Sequence, residues 1–529
     1  MKVRKDFLIG ILLLSLMGFV STPVQAGPCE DLKSLNLGNT QITDAQHIVP
    51  PYKSETSSFG NTQVDFCEFC RVKAVSRPTE DSEIWFEVWM PLAGKWNGKF
   101  NGVGNGALGG GINYPAMKDP LFRGYAVAST DTGHSAPSSD AGYAFKDGKY
   151  HAEKVIDWGH RAVHEMTVAA KEMIKAYYGQ WPRFSYFTGC SGGGQQALSE
   201  AQRYPKDYDG IVSGAPSNFF THLDAGQIWR AQAVLGKPES YIPSGGPQQP
   251  DKLTVIYNAS LAKCDALDGL KDGIIQDPRK CDFDPASLLC PGGVDAPNCL
   301  TGPQVEALKK LYAGPSNPAS GEQIFPGFPP GSESGWGRFV GGPAGSPFYM
   351  KPNPIADTFF KFMVFENPNW NFMTFDFNKD MTATEKKLIK PDTTLASAIN
   401  ATNPDLSGFR QAGGKLIMYH GWSDPNIPAM NTINYYQSVL AKMKELNDFF
   451  RLFVVPGMGH CSGGPGTDQF DALPALEQWV EKGVAPQSIP ASHVEKGAVT
   501  MTRPLCPYPR QAVYNGTGDP NDIGSFKCQ

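Results

Sequence analysis

The chain has 529 residues, 41% hydrophobic and 19% charged, a balance that excludes a disordered protein and gives enough length for more than one folded unit. A net charge of -5 without a long Lys/Arg run excludes an electrostatic footprint for nucleic acid or an anionic membrane. The 57 glycines and 44 prolines imply a loop-rich fold.

Lys2, Arg4 and Lys5 precede an apolar run over 7–20, and Val24-Gln25-Ala26 supplies the small-x-small pattern of a signal-peptidase site. The run is shorter than the roughly 20 residues that span a bilayer. Residues 1–26 are therefore expected to be a signal peptide, leaving a secreted or periplasmic protein with no membrane segment after cleavage. All 11 cysteines follow it, so disulfides are expected and one cysteine is left over. Cys67 and Cys70 form a CxxC without a thioredoxin-like βαβ context, which favours structural pairing over redox chemistry.

Residues 85–90 and 125–129 predict strands, and 99–106 a strand running into a glycine loop. Val163, Met166, Ala169, Ala170, Met173 and Ile174 recur at helical spacing within 157–178. A strand over 184–188 then runs into Gly189-Cys190-Ser191-Gly192-Gly193-Gly194, followed by a helix over 195–203 and a strand over 208–214. The alternation resumes with strands over 415–420 and 450–456 around a helix over 430–446. This is a doubly wound α/β pattern, an α/β-hydrolase core formed by 27–217 and 397–529. Between them, 218–396 is Pro/Gly-rich and cysteine-bearing without a sustained hydrophobic period, and reads as an inserted lid.

Gly189-Cys190-Ser191-Gly192-Gly193 satisfies G-x-S-x-G in the strand-to-helix context that lifts a serine hydroxyl out of a sheet. A glycine-rich turn that merely packs tightly or binds an anion is the plainer alternative. Asp424 and His460 follow the strands ending near 420 and 456, in the Ser, Asp, His order of this fold. Few of the nine histidines can compete for that place. Together they predict a nucleophile, an orienting acid and a general base. Oxyanion donors are expected from the N–H groups of Gly192 and of Gly106 in the loop Gly104-Asn105-Gly106, which otherwise reads as a tight turn. Cys190 precedes the serine and Cys461 follows the histidine, so a bridge between them would tie the two loops together.

In the lid, Cys264-Asp265-Ala266-Leu267-Asp268-Gly269-Leu270-Lys271-Asp272-Gly273 sets three aspartates among glycines. Such hard oxygen donors suit Ca²⁺ better than Zn²⁺, although Asp-Gly pairs also occur in plain turns and the spacing is not that of an EF-hand.

These segments, with Tyr208-Asp209-Gly210-Ile211-Val212, Tyr419-His420-Gly421, Gly457-Met458-Gly459-His460-Cys461 and Arg503-Pro504-Leu505-Cys506-Pro507-Tyr508-Pro509, resemble the tannase and feruloyl esterase family over nearly the whole mature chain. That family includes the bacterial mono(2-hydroxyethyl) terephthalate hydrolase. The resemblance implies a serine esterase acting on small aromatic esters held between core and lid. It also implies a structural Ca²⁺ held by Asp265, Asp268 and Asp272 with the carbonyls of Leu270 and Ile274, the Cys190–Cys461 bridge, and pairs Cys264–Cys281, Cys290–Cys299, Cys506–Cys528 and Cys29–Cys70. Cys67 departs from the pattern. Asn105, Gly192 and Ile427 differ from the terephthalate enzyme, and Phe359 and Phe360 suggest an apolar pocket, so a feruloyl or chlorogenate esterase is expected ahead of a galloyl or terephthalate-ester hydrolase. A non-catalytic phenolic or carbohydrate binding module and a peptidase are the rival readings from other classes.

Overall fold

The computed structural model describes residues 27–529; the expected signal peptide lies outside them. A nine-stranded sheet forms the centre. In chain order its strands are β1 (Thr40–Ile48), β2 (Phe69–Ser76), β3 (Ile84–Pro91), β4 (Lys99–Val103), β5 (Ala126–Thr130), β6 (Phe184–Cys190), β7 (Gly210–Gly214), β8 (Lys415–Gly421) and β9 (Phe450–Val455). Their spatial order is β1-β2-β3-β5-β4-β6-β7-β8-β9. From β5 to β9 every neighbouring pair is parallel, and β1, β2 and β3 close one edge antiparallel. Strands β5 and β7 are buried at every position, as expected of parallel strands covered on both faces.

Two helices illustrate that covering. Helix α1 (Ala162–Tyr178) buries Val163, Met166, Ala170, Met173 and Ile174 against one face with Phe100, Phe187 and Met418. Helix α4 (Leu473–Lys482) packs Leu476 and Trp479 against the other with Tyr186, Ile417 and Phe453. Gly179, left-handed at φ 72°, ends α1 where a side chain would be strained.

The register sets the functional edge. Val103 lies one position past Gly102, which pairs with Phe187, and Cys190 pairs with Gly214, Gly214 with Tyr419, and Gly421 with Val455. The C-terminal ends of β4, β6, β8 and β9 therefore open onto one side of the sheet, where ligands bind in open α/β folds.

The inserted region is more helical than its sequence suggests. It contains α3 (Phe220–Leu235), which follows α2 (Gly192–Arg203) of the core, and further helices over Lys252–Cys264 and Gly302–Ala313. Helix α3 is buried around most of its circumference, so it has no polar face to give an amphipathic period. The segment before the insertion contributes Ala141, Ala144, Val155 and Trp158 to a core shared with Phe220, Phe359, Phe360, Phe375 and Leu395.

Five disulfides pair Cys29–Cys70, Cys190–Cys461, Cys264–Cys281, Cys290–Cys299 and Cys506–Cys528, as the resemblance implies. Cys67 is unpaired and half-buried, and burial pushes its thiol pKa up.

Candidate active site

Ser191 stands between β6 and α2 at φ 63° and ψ -120°, a conformation that strains any non-glycine residue. Its neighbours make that turn sterically feasible. A Cβ on Gly189 would meet the Gly193 carbonyl oxygen at 2.4 Å, and one on Gly192 would meet that of Ala107 at 2.6 Å. The second contact means that the loop after β4 packs directly on the start of α2. Gly106 and Gly192 thus lie packed together. Gly192 is the first residue of α2, so its N–H has no intrahelical acceptor, and the Gly106 N–H donates to no other described residue.

Asn105 is buried and lines the cleft, but its side-chain amide donates to the carbonyls of Gly111 at 2.7 Å and Thr130 at 2.8 Å. It holds the glycine loop in shape.

Asp424 is completely buried just beyond β8. Its Oδ2 accepts from His460 Nδ1 at 2.7 Å and from His420 Nε2 at 3.1 Å, while its Oδ1 accepts from the N–H groups of Asn426 at 2.8 Å and Ile427 at 2.9 Å. Burial alone would raise its pKa; the His460 charge and the two histidine hydrogen bonds outweigh that and keep it ionised. Burial disfavours a charged His460, but the charge and hydrogen bond of Asp424 win and raise the imidazole above its usual value. The tautomer of His420 follows from its partners. Nε2 also lies 2.8 Å from the Ile427 carbonyl, which can only accept, so Nε2 carries the proton and Nδ1 accepts from the Thr432 hydroxyl at 2.6 Å.

Beneath this loop, Gln227 and Arg230 of α3 hold Asn426. Gln227 Nε2 donates to its side-chain oxygen at 2.7 Å and Arg230 Nη1 to its carbonyl at 2.9 Å. Burial pushes the Arg230 pKa down to about 9, against the opposing charges of Asp424 and Asp224. His420 could have been found from its strand-end position four residues before Asp424. Arg230 and Gln227 carry no local signal, because only the packing of α3 brings them there.

Ser191 and His460 line one open cleft of about 640 Å³, together with Phe59, Val212, Phe339, Asn353, Ile355 and Tyr419. They make no direct hydrogen bond with each other. Such contacts often tighten only when substrate binds. The Cys190–Cys461 bridge, with Cα atoms 6.0 Å apart, joins the two loops, and Cys461 also has a left-handed backbone at φ 65°. Replacing both cysteines by serine is expected to lower stability by about 3–5 kcal/mol, because the bridge closes a loop of 271 residues. The same double variant should lose about 10²-fold in kcat/KM through misplacement of the two side chains. Denaturant titration and ester hydrolysis check the two effects separately.

The structure corrects the expected pocket wall. Phe359 and Phe360 are fully buried in the lid core with Phe220, Phe375 and Trp370, away from the cleft surface. Ile427 is likewise buried, against Leu223 and Phe325. The apolar wall comes instead from Phe59, Val212, Phe339 and Ile355.

The aspartate loop of the lid turns through Gly269 and Gly273, both left-handed. Asp265 Oδ1 accepts from the N–H groups of Asp272 and Gly273, Asp268 from that of Leu270, and Asp272 Oδ2 from Arg503 Nη2 at 3.1 Å. As placed, no three His, Cys, Asp or Glu side chains converge on one point among the described residues. The donor set nonetheless fits a hard cation: three carboxylates share one tight loop. Burial and the neighbouring aspartate charges raise the pKa of Asp268 and Asp272, against the backbone N–H groups that both accept from and, at Asp272, the Arg503 charge.

Sheet, insertion and strand-end loops define the α/β-hydrolase fold. Residues 70–529 match the family model described as tannase and feruloyl esterase. The chain is 39% identical over 554 residues to an uncharacterized esterase of Xanthomonas campestris pv. campestris, covering 98% of this chain and 93% of that one. It is 32% identical over 523 residues to "Probable feruloyl esterase B-2" of Aspergillus oryzae, covering 93% of each. The crystal structure of feruloyl esterase B from Aspergillus oryzae superposes with a TM-score of 0.83 at 29% identity, covering 95% of this chain and 99% of that one. Tannin acyl hydrolase from Aspergillus niger shares the fold, with a TM-score of 0.75 at 20% identity over 95% and 93% of the two chains. The chain belongs to the tannase and feruloyl esterase family and is a carboxylic ester hydrolase. The binding-module and peptidase readings are set aside by that membership.

Proposed function

We propose that this protein is an exported serine esterase that hydrolyses esters of phenolic acids, of the feruloyl or chlorogenate type, through an acyl-enzyme. The observation that carries the reading is the pairing, in one cleft, of a strained Ser191 whose hydroxyl is unbonded with a His460 whose Nδ1 is held 2.7 Å from buried Asp424. With Nδ1–H directed at Asp424, Nε2 is left unprotonated and able to take the Ser191 proton as Oγ attacks the ester carbonyl. The N–H groups of Gly106 and Gly192 are suited to receive the oxygen that becomes negative in the tetrahedral intermediate. His460 then returns the proton to the leaving alcohol, and water repeats the sequence to release the acid. Phe59, Phe339 and Ile355 give a flat aromatic acyl group apolar surfaces to lie against. The names of the relatives favour ferulate over gallate.

Turnover of methyl ferulate, chlorogenate, methyl gallate and mono(2-hydroxyethyl) terephthalate tests the specificity. Preferential hydrolysis of a hydroxycinnamate supports the reading, and hydrolysis of only the gallate or the terephthalate ester replaces it with the corresponding activity.

Export rests on the basic and apolar segment of 1–26 and on five disulfides, which persist in oxidising compartments. Within the lid, Ca²⁺ held by Asp265, Asp268, Asp272 and the carbonyls of Leu270 and Ile274 would neutralise the clustered carboxylates and stiffen the loop. Chelation is expected to lower Tm by several degrees, with recovery on adding Ca²⁺ but not Mg²⁺. Metal analysis finding no Ca²⁺, with Tm unmoved by chelator, removes the site.

A further inference from the structure

The charge on the cleft wall is one-sided. Among the described residues lining it there is no aspartate or glutamate, the Tyr419 phenol stays neutral, and apart from His460 the one side chain that carries a charge is Arg338. Arg338 comes from a lid turn, Glu333–Phe339, and lines the same cleft as the core loops that carry Gly106 and Ser191. The root of that turn is fixed: Trp336 is fully buried and its Nε1 donates to Ser332 Oγ at 2.9 Å. The arginine itself is exposed and has no carboxylate partner among the described residues. Its guanidinium carbon lies 4.7 Å from the ring centroid of Phe348 and 5.8 Å from that of Phe339. Aromatic support of this kind holds the cation while leaving its in-plane N–H fork unspent.

A planar donor fork without an acid partner, facing an otherwise uncharged cleft, matches one ligand chemistry best. We propose that Arg338 is a specificity-determining residue that binds a carboxylate carried by the substrate away from the scissile ester. The inference rests on the aromatic-ester reading of the same cleft and narrows it to anionic esters. The carboxylate has two sources: the alcohol, as in a quinate ester, or the far end of the acyl ring, as in a terephthalate monoester. Neutral groups such as Asn353 could bind hydroxyls, but they cannot distinguish an acid from its methyl ester by charge.

Matched pairs separate these sources: chlorogenate against its methyl ester, and mono- against bis(2-hydroxyethyl) terephthalate, each with wild type, Arg338→Gln and Arg338→Lys. The quantity read is the ratio of kcat/KM for acid over neutral ester within a pair, so a general loss of activity in a variant cancels. The wild type should prefer the acid of one pair by about tenfold. That preference should vanish in Arg338→Gln, persist in part in Arg338→Lys, and shrink with added salt. The pair that responds identifies the side of the ester that carries the charge. A wild type indifferent to charge in both pairs, or a preference that survives Arg338→Gln, overturns the assignment. Methyl ferulate, measured on the wild type alone, keeps the two readings apart. Its hydrolysis without any acid preference removes the Arg338 role and leaves the phenolic esterase, whereas an Arg338-dependent preference confined to the terephthalate pair, without hydroxycinnamate turnover, does the reverse. Absence of turnover on all five esters overturns both.

Discussion

Ser191→Ala is expected to lower kcat on the preferred ester by about 10⁶-fold while shifting Tm by no more than about a degree. The chemistry loses its nucleophile, so no acyl-enzyme forms and a serine-directed phosphonate no longer labels the protein. Stability is spared for a structural reason. The Ser191 hydroxyl makes no hydrogen bond among the described residues, and the substitution keeps a Cβ at the same φ of 63°, so the backbone strain remains and no buried partner is orphaned. Residual turnover should come from binding and the two backbone N–H groups alone. Calorimetry and burst kinetics on one preparation check both halves. Full activity in the variant would remove the serine mechanism, and a large fall in Tm would mean that the hydroxyl has a structural partner.

Asp424→Asn should cost about 10⁴-fold in kcat and also move the pH profile. Both carboxylate oxygens face donors: Oδ1 receives two backbone N–H groups and Oδ2 two histidine nitrogens. An asparagine can satisfy only one side. With its oxygen toward the backbone, its NH₂ faces His460 Nδ1 and stabilises the tautomer protonated at Nε2, which cannot accept the serine proton. In the wild type Asp424 raises the His460 pKa, so the imidazole stays protonated to a higher pH than usual. Activity should therefore be lost on the acid side as pH falls through a value above the ordinary imidazole value of about 6.5. Removing the carboxylate removes that stabilisation of imidazolium, and the residual activity should persist to lower pH. Initial rates of kcat/KM against pH for both proteins decide it; an acid limb that stays in place would show that Asp424 does not set the titration of His460.

The two effects also separate roles within the buried network. His420 touches the same carboxylate oxygen, but its Nε2–H is shared with Ile427 and its Nδ1 is engaged by Thr432, so it orients Asp424 without facing the cleft. Arg230 reaches the loop only through Asn426 and acts on Asp424 by its field. A sequence motif contains neither relation.

Sequence by itself determined the strand, tight turn and helix around Ser191, because hydrophobic period changes from two to helical spacing across a run of glycines. It also determined the order and strand-end placement of Asp424 and His460, since a strand followed by a short glycine loop has few places to put its first polar residues. The antiparallel strands Thr40–Ile48 and Phe69–Ser76 were not legible there. Their exposed and buried positions do not alternate cleanly, and sheet pairing between distant segments set their conformation. Nor was the wall of the cleft. An apolar pair such as Phe359-Phe360 reports that two side chains leave water, but a lid core and a substrate pocket satisfy that demand equally. Only the packing of the insertion on the sheet placed those rings in its own core, brought Phe339 and Ile355 to the cleft beside Phe59, and put Arg338 on the lining that Ser191 shares, without an acid partner. Chemistry confined to one turn follows local backbone rules that a short sequence carries. A binding surface assembled from segments hundreds of residues apart exists only once tertiary contacts have chosen which buried faces meet.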